Sequence, residues 1–267
     1  MAIDKAVILA AGLGNRIARA SSTPKPFLPL DGTPDGLSFV EWHVARLTEH
    51  GVGEVYIVGN RATCGRAIRA PEGANVTWVL NPSEDLSLSG SGHSAWFAFT
   101  SGHDILDGRS RVVLMDADIL YEPAVVAALD GGSARAASCT LVCGDYRESD
   151  EEVMVFGQGR RAITHGKALL NTRLVEGLAC FGEATGMLLW EAEDHALLME
   201  STRWCMTRST AKERSEHEDI TQRMMLAGRV EAEVFDDLLF SECDTPEEYE
   251  WLRAELYPQV TARLSAR

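Results

Sequence analysis

The chain has 267 residues, of which 45% are hydrophobic and 24% charged, with a formal net charge of −15 at pH 7. That length can bury roughly three quarters of the unfolded surface without a disulfide or metal staple, and the composition is that of an ordinary globular protein. The acidic balance argues against nucleic acid and anionic membrane as main partners, because both call for a basic face; it leaves room for a small anion held by a few placed Lys and Arg residues.

In chain order, apolar runs at Ala6–Ala10, Glu54–Val58, Val76–Leu80 and Arg111–Met115 predict buried strands. Helices are predicted between them. Ser38 can cap one whose apolar face carries Val40, Val44 and Leu47 and which ends at Gly51. Gly92–Phe99 and Glu122–Leu129 supply two more, and Ala137–Cys143 adds a strand. Strands separated by helices of this length imply right-handed crossovers, hence an α/β fold with a mainly parallel, doubly wound central sheet.

The rhythm changes after Asp145. Val153–Phe156 and Arg161–His165 flank Gly157-Gln158-Gly159 as a hairpin. A strand near Met187–Trp190, a helix over Ala192–Met199 and a polar loop over Ser201–Ser215 follow. Then come a helix near Asp219–Ala227, strands near Glu231–Val234 and Leu238–Phe240, and a closing helix from Pro246. Asp244-Thr245-Pro246-Glu247 has the cap, proline and acid of a helix start. A single domain spanning 1–267 is expected, with its second half, 146–267, forming a β-hairpin and helix lobe that walls one side of a cleft. The 6 cysteines follow neither a zinc nor a disulfide spacing and read as reduced thiols of a cytoplasmic protein. The apolar start, Ala6–Ala11, is too short for a membrane span and lacks the basic flank of a signal peptide.

Three segments carry chemistry. Leu9-Ala10-Ala11-Gly12-Leu13-Gly14-Asn15-Arg16 follows the first strand, so its glycines can turn successive N–H groups toward an anion and Arg16 can fork onto phosphate oxygens. Gly-x-Gly alone reads equally well as a structural turn, and neither a Walker loop nor the third glycine of the dinucleotide fingerprint is present. In Thr23-Pro24-Lys25-Pro26 the prolines stiffen the chain around one lysine. Asp116-Ala117-Asp118 closes an apolar strand at the carboxyl edge, where open α/β sheets bind ligands, and its two carboxylates can share a divalent cation.

Together, Leu9–Arg16 and Pro24-Lys25-Pro26 resemble the signature of nucleotidyltransferases of Rossmann-like, GT-A-type fold, which make activated sugars, polyols and alcohols from an NTP and a phosphate monoester. Asp118 matches the family's metal-binding aspartate, and Glu242-Cys243-Asp244-Thr245-Pro246-Glu247 is similar to its late segment, whose Asp is the second metal ligand. Gly182-Glu183-Ala184-Thr185-Gly186-Met187 and Glu216-His217-Glu218-Asp219 resemble acceptor-side segments of the phosphocholine and phosphonate cytidylyltransferases. Asn81-Pro82 with Ser89-Gly90-Ser91-Gly92-His93-Ser94 falls where that branch reads the base. Ala117 stands where sugar-activating members have Gly, and Asn15 where Ser or Thr is usual.

The resemblance implies CMP transfer from CTP to a small phosphonate or phosphomonoester, such as 2-aminoethylphosphonate, 2-hydroxyethylphosphonate or phosphocholine, with Mg²⁺ as cofactor and Mn²⁺ as the alternative. Residues 1–145 would form the nucleotide-binding half and 146–267 the acceptor half. It further implies that Leu9, Ala10, Ala11, Gly12, Gly14, Asn15 and Arg16, with Asn81, Ser89, Gly90, Ser91, Ser94 and Asp116, bind the nucleotide. Lys25, Arg16 and Asp118 would be catalytic. Lys25, Glu183, Glu216 and Asp219 would meet the acceptor, and Asp118, Asp244 and Asp116 the metal. No nucleic acid or membrane partner is expected, and a homodimer is the common default. Two alternatives stay open: a sugar- or inositol-1-phosphate nucleotidylyltransferase, and a glycosyltransferase using Asp116-Ala117-Asp118 as a D-x-D site.

Overall fold

A computed structural model describes residues 2–17, 21–131, 137–146, 152–208 and 215–265. The first apolar run becomes β1 (Lys5–Leu9), buried along its whole length. Ala6, Ile8 and Ala10 pack into the core on one face, Val7, Leu9 and Ala11 into that on the other. This is the two-residue alternation of a strand covered on both sides. β2 (Glu54–Gly59), β3 (Val76–Leu80) and β4 (Val112–Asp116) join it, all parallel, in the order β3-β2-β1-β4. The remaining strands are β5 (Ile119–Tyr121), β6 (Ser138–Cys143), β7 (Met154–Gln158), β8 (Arg161–Gly166), β9 (Ala179–Trp190), β10 (Val230–Phe235) and β11 (Phe240–Glu242).

The main sheet is 9-stranded, ordered β3-β2-β1-β4-β9-β6-β10-β8-β7. Its parallel, doubly wound part is the one the sequence predicts; beyond β4 it is mixed, because β9 runs antiparallel to both β4 and β6. β7 pairs with β8 and also with the first half of β9, so this end of the sheet curls back on itself. A second sheet has 2 strands, β11 and β5, paired antiparallel.

One face is covered by α1 (Phe39–Glu49), the other by α2 (Ser91–Phe99); α3 (Pro123–Asp130) returns to the first. α4 (His195–Arg208) and α5 (His217–Leu226) pack beside α2, while α6 (Pro246–Trp251) leads through a π-helical turn into α7 (Tyr257–Ser265) on the α1 side. The start of α1 is as predicted: Ser38 accepts from the Glu41 N–H and Glu41 accepts from the Ser38 N–H, a reciprocal cap.

Several boundaries differ from expectation, each for a local reason. β9 starts at Ala179 rather than near Met187, since its first half is half-buried and held by ladder hydrogen bonds to β7 rather than by an apolar run. α4 passes Met199 and runs to Arg208, because Ser201, Thr202 and Cys205 turn inward. The predicted polar loop therefore begins later, and its residues 209–214 lie outside the described residues. Three-residue β5 carries no signal in the sequence, and β11 lies at Phe240–Glu242, displaced from Leu238–Phe240. The cysteines are free, and no helix among the described residues is long and apolar enough to cross a membrane.

Candidate active site

The site forms at the carboxyl ends of β1 and β4, which lie side by side in register from Lys5 opposite Val112 to Leu9 opposite Asp116. Gly14 adopts a φ of 57°, a left-handed conformation that glycine takes freely. A Cβ there would lie 3.0 Å from the Lys25 Cβ, so the glycine also lets the loop rest on the lysine stem. Pro24 and Pro26 set the short 3-10 turn Lys25–Phe27 and leave Lys25 buried at its root.

The Lys25 ammonium lies 2.6 Å from Asp118 Oδ2 and 2.7 Å from Asp244 Oδ1, with only 7% of its side chain exposed. Arg16 reaches the other oxygen of Asp244, Oδ2, at 2.5 Å. More than a hundred residues separate Asp118 from Asp244 in the chain, and the β5–β11 ribbon closes that gap. Glu242 stands opposite Ile119 in the ribbon, and the Cys243 N–H donates to Asp118 O at 3.0 Å. As a result Asp118, Glu242 and Asp244 each offer a carboxylate oxygen within 4.8 Å of the others.

Electrostatics at this centre are one-sided. Burial opposes the charge on Lys25, but Asp118 and Asp244 outweigh it and hold the ammonium well above its ordinary range. For Asp244 burial opposes ionisation, while Lys25 and Arg16 prevail and lower it. For Glu242 the balance reverses: burial, then the charges of Asp118, Asp244 and Asp116, push it up to about 9, with Lys25 opposing. Crowded hard oxygen donors of this kind fit a divalent cation such as Mg²⁺, which one lysine cannot replace.

The predicted residues divide into three groups. Leu9, Gly12, Gly14, Asn15, Arg16 and Ser89 line a cavity of about 320 Å³ together with Lys25, Asp118 and Asp244. Ala10 and Ala11 lie behind it, in the core. Asn81 and Ser94 are also buried. Asn81 donates to Ser89 Oγ and Ser94 Oγ, each at 3.1 Å, so it shapes the cavity wall from behind.

A second group is placed differently from expectation. Asp116 is not among the carboxylates that gather with Asp118; its Oδ2 accepts from His217 Nε2 at 2.9 Å, and Glu242 occupies the third position instead. Gly186, at a φ of 70°, makes room for this, since a Cβ there would collide with the Asp116 carboxylate. Asp116 and Asp118 thus meet different partners, His217 and Lys25 respectively. Glu216 and Asp219 form the reciprocal cap at the start of α5. Glu216 Oε2 accepts from Ser91 N–H at 2.6 Å and Ser91 Oγ at 2.8 Å, while Asp219 accepts from the Glu216 N–H at 2.9 Å. Gly90 and Gly92 permit this, because a Cβ at either would strike Ser215 or Glu216.

The third group faces the other side. A cavity of about 640 Å³ is lined by Arg16, Glu183, Glu242 and Asp244, and so meets the first across the Lys25 centre. A smaller one of about 80 Å³ holds Asp116, His165, Glu183, His217, Glu218 and Glu242. Lys167, which the sequence does not single out, lines both. Burial and then Glu152 push Glu183 up to about 7, with Lys167 opposing. Glu242 had a legible signal, being two residues from Asp244 as Asp116 is from Asp118. Lys167 had none.

A doubly wound sheet with a glycine loop after its first strand, and a lysine–carboxylate centre beside that loop, defines a nucleotide-handling α/β protein. The chain belongs to the family described as the MobA-like NTP transferase domain, which matches residues 6–186, and so is a nucleotidyltransferase. A CMP-5'-(3-aminopropyl)phosphonate synthase from Streptomyces rubellomurinus (strain ATCC 31215) is 37% identical over 144 residues, which are 51% of this chain and 21% of that protein. The chain thus spans about a fifth of that relative's length. Among solved structures, the inositol-1-phosphate CTP transferase from T. maritima superposes with a TM-score of 0.71 at 18% identity, covering 94% of this chain and 96% of that one. UDP-glucose pyrophosphorylase complexed with UDP-glucose gives 0.72 at 15% identity, covering 96% and 99%. At such identities these two speak to the fold.

Proposed function

We propose that this chain transfers CMP from CTP to a small phosphonate or phosphomonoester, of the 2-aminoethylphosphonate, 2-hydroxyethylphosphonate or phosphocholine type, and releases pyrophosphate. The observation that carries this reading is Lys25, buried between Asp118 and Asp244 where the loop-lined cavity and the acceptor-side cavity meet. The choice of cytidine and of a phosphonate is supported by the similarity to the Streptomyces CMP-5'-(3-aminopropyl)phosphonate synthase. Glu183, Glu218 and Asp116 around the smaller cavity would suit an acceptor with a cationic amine.

An acceptor oxygen attacks the α-phosphorus; the new O–P bond forms as the bond from that phosphorus to the bridging oxygen breaks, and pyrophosphate leaves with the electron pair. The acceptor is already an anion, so no strong general base is needed. The barrier lies in bringing anions together: two unit charges about 4 Å apart repel by about 4 kcal/mol at an effective dielectric of ~20, or about a thousandfold in rate. Lys25 offsets that repulsion between acceptor and α-phosphate, Arg16 holds the departing pyrophosphate, and Lys167 meets the acceptor's anionic end. Backbone N–H groups at Gly12, Gly14 and Asn15 serve the triphosphate. Asp118, Asp244 and Glu242 would hold Mg²⁺, with Mn²⁺ as an alternative; when bound it neutralises charge on the phosphate oxygens. Free cysteines without a framework support a reducing, cytoplasmic setting.

The test is pyrophosphate release with Mg²⁺, crossing the four NTPs against 2-aminoethylphosphonate, 2-hydroxyethylphosphonate, phosphocholine, inositol-1-phosphate and glucose-1-phosphate. Release with CTP and one of the first three supports the proposal. Release only with a sugar or inositol phosphate would replace the acceptor class, and silence with every pair would sink the reading.

A further inference from the structure

Behind the loop that lines the 320 Å³ cavity lies a buried amide that neither the chemistry nor the sequence motifs use. Asn60 follows the last residue of β2 and is only 6% exposed. Both ends of its side chain are committed. Oδ1 accepts from the Ala62 N–H at 2.8 Å and the Thr63 N–H at 3.2 Å, forming an Asx turn. Nδ2 donates to Ala11 O at 3.0 Å. The two donors facing Oδ1 settle which way the amide points, because a flipped amide would set its NH₂ against two N–H groups.

The location gives that bond its consequence. The β1–β2 ladder continues as far as Ala10, whose N–H donates to Val58 O at 2.9 Å. At Ala11 the main-chain ladder stops, and the Asn60 side chain supplies the next rung. In a planar trans peptide the carbonyl of Ala11 and the N–H of Gly12 point in opposite directions. Holding Ala11 O against Asn60, on the β2 side, therefore turns the Gly12 N–H away from β2. Gly12 lines the cavity, a Cβ on it would have nothing within 4 Å, and its N–H has no partner among the described residues.

We propose that Asn60 is a positioning residue for nucleotide binding: its bond to Ala11 O locks the Ala11–Gly12 peptide so that the Gly12 N–H is presented to an acceptor atom of the nucleotide. The inference rests on the reading of this cavity as the nucleotide pocket. Asn60→Asp is the discriminating variant, since it keeps the size and both acceptor bonds of the Asx turn while replacing the donor facing Ala11 O by a repelling oxygen.

Isothermal titration of the whole chain with CTP and Mg²⁺ is expected to show binding weakened about tenfold to a hundredfold in Asn60→Asp, the range set by losing one hydrogen bond to a charged or polar ligand. The acceptor KM should stay within about threefold and the melting temperature within a few degrees, whereas a general loosening of the fold would move all three together. A variant that binds CTP within twofold of the parent overturns the proposal. A parent that binds no NTP overturns the nucleotide reading, and the inference with it. Should Asn60→Asp fail to fold, the parent decides through the Gly12 amide, followed by ¹H–¹⁵N resonance. A shift of that amide on saturation with CTP, larger than those of the buried Ala10 and Val58 amides, is expected. An unmoved Gly12 signal in a saturated sample overturns the proposal.

Discussion

At the scale of single residues, the centre is a balance between one lysine and too many carboxylates. Lys25→Ala removes the ammonium paired with both Asp118 and Asp244. It should lower turnover by at least about two orders of magnitude, as removal of other electrostatic stabilisers does; steady-state pyrophosphate release checks it. The grouping of Glu242 with Asp118 and Asp244, and of Asp116 with His217, makes opposite predictions for two variants. Glu242→Gln should raise the Mg²⁺ concentration for half-maximal rate at least about tenfold, and Asp116→Asn should leave it within about threefold. Equal shifts in a Mg²⁺ titration would return Asp116 to the ligand set. Glu183 adds a pH dependence. Burial and then Glu152 raise its carboxyl from the unfolded value of 4.5 to about 7. Between those values the folded chain binds the extra proton, so the stability Glu183 contributes is present below pH 4.5 and lost as pH rises through about 7. Denaturation across pH 4 to 8 should show a smaller loss in Glu183→Gln than in the parent, the difference growing between pH 4.5 and about 7.

At the scale of elements, two devices hold segments that are distant in the chain. The first is the reciprocal cap of α1, which also anchors a distant loop: Glu41 accepts from the Arg69 N–H at 2.8 Å and Nε at 3.0 Å as well as from Ser38. Burial works against ionisation of Glu41, but the bonds from Arg69 and Ser38 prevail and hold its carboxyl at about 2. A depressed carboxyl stabilises the fold above its unfolded value of 4.5, and that stability is lost as pH falls toward about 2. Ser38→Ala should cost about 1 kcal/mol at neutral pH by urea denaturation. Glu41→Gln should cost about 1–3 kcal/mol, with the difference from the parent shrinking as pH drops below 4. The second device is the β5–β11 ribbon, three residues on each side, which brings Asp118, just before β5, beside Asp244, just after β11.

Across the whole molecule, the sheet leads to two cavities. Its parallel part, β3-β2-β1-β4, ends in the loop cavity; its mixed part, from β9 onward, curls into the 640 Å³ cavity, which is the acceptor side in the proposed function. β1 and β4 lie at the seam, fully buried except for the half-buried Asp116 at the end of β4. Their central amides should exchange with solvent only on global unfolding, while those of the β5–β11 ribbon, lying at the cleft, should exchange earlier. Hydrogen exchange followed by mass spectrometry checks this, and equal protection of the ribbon would mean that the site is as rigid as the core. Within a chain of −15 net charge, Arg16 lines both cavities, Lys25 the first and Lys167 the second, so each cavity holds cations suited to an anion.

Strand periodicity, the glycine loop, the proline-flanked lysine and the aspartate closing an apolar strand are short-range features, and each was legible because its physics acts within a few neighbouring residues. Leu9–Arg16, Lys25, Asp118 and Asp244 therefore stood out in the sequence, as did the fold class and the wrapped first half. Which carboxylates gather was decided elsewhere. Asp116 and Asp118 share a spacing that permits joint ligation, but His217, from a helix a hundred residues away, takes Asp116, and the β5–β11 pairing delivers Glu242 in its place. Glu216 and Asp219 stood out as acceptor-side acids, and a helix cap draws on the same residue types; the bonds from Ser91 to Glu216 and from the Glu216 N–H to Asp219 appear only in the folded chain. Lys167 and Asn60 carry no local mark, since each owes its place to a strand end brought beside the cleft or beside β1 by the sheet. A short window of sequence holds the propensity of a residue; its partner, when it comes from a strand or helix far along the chain, exists only once the sheet has closed.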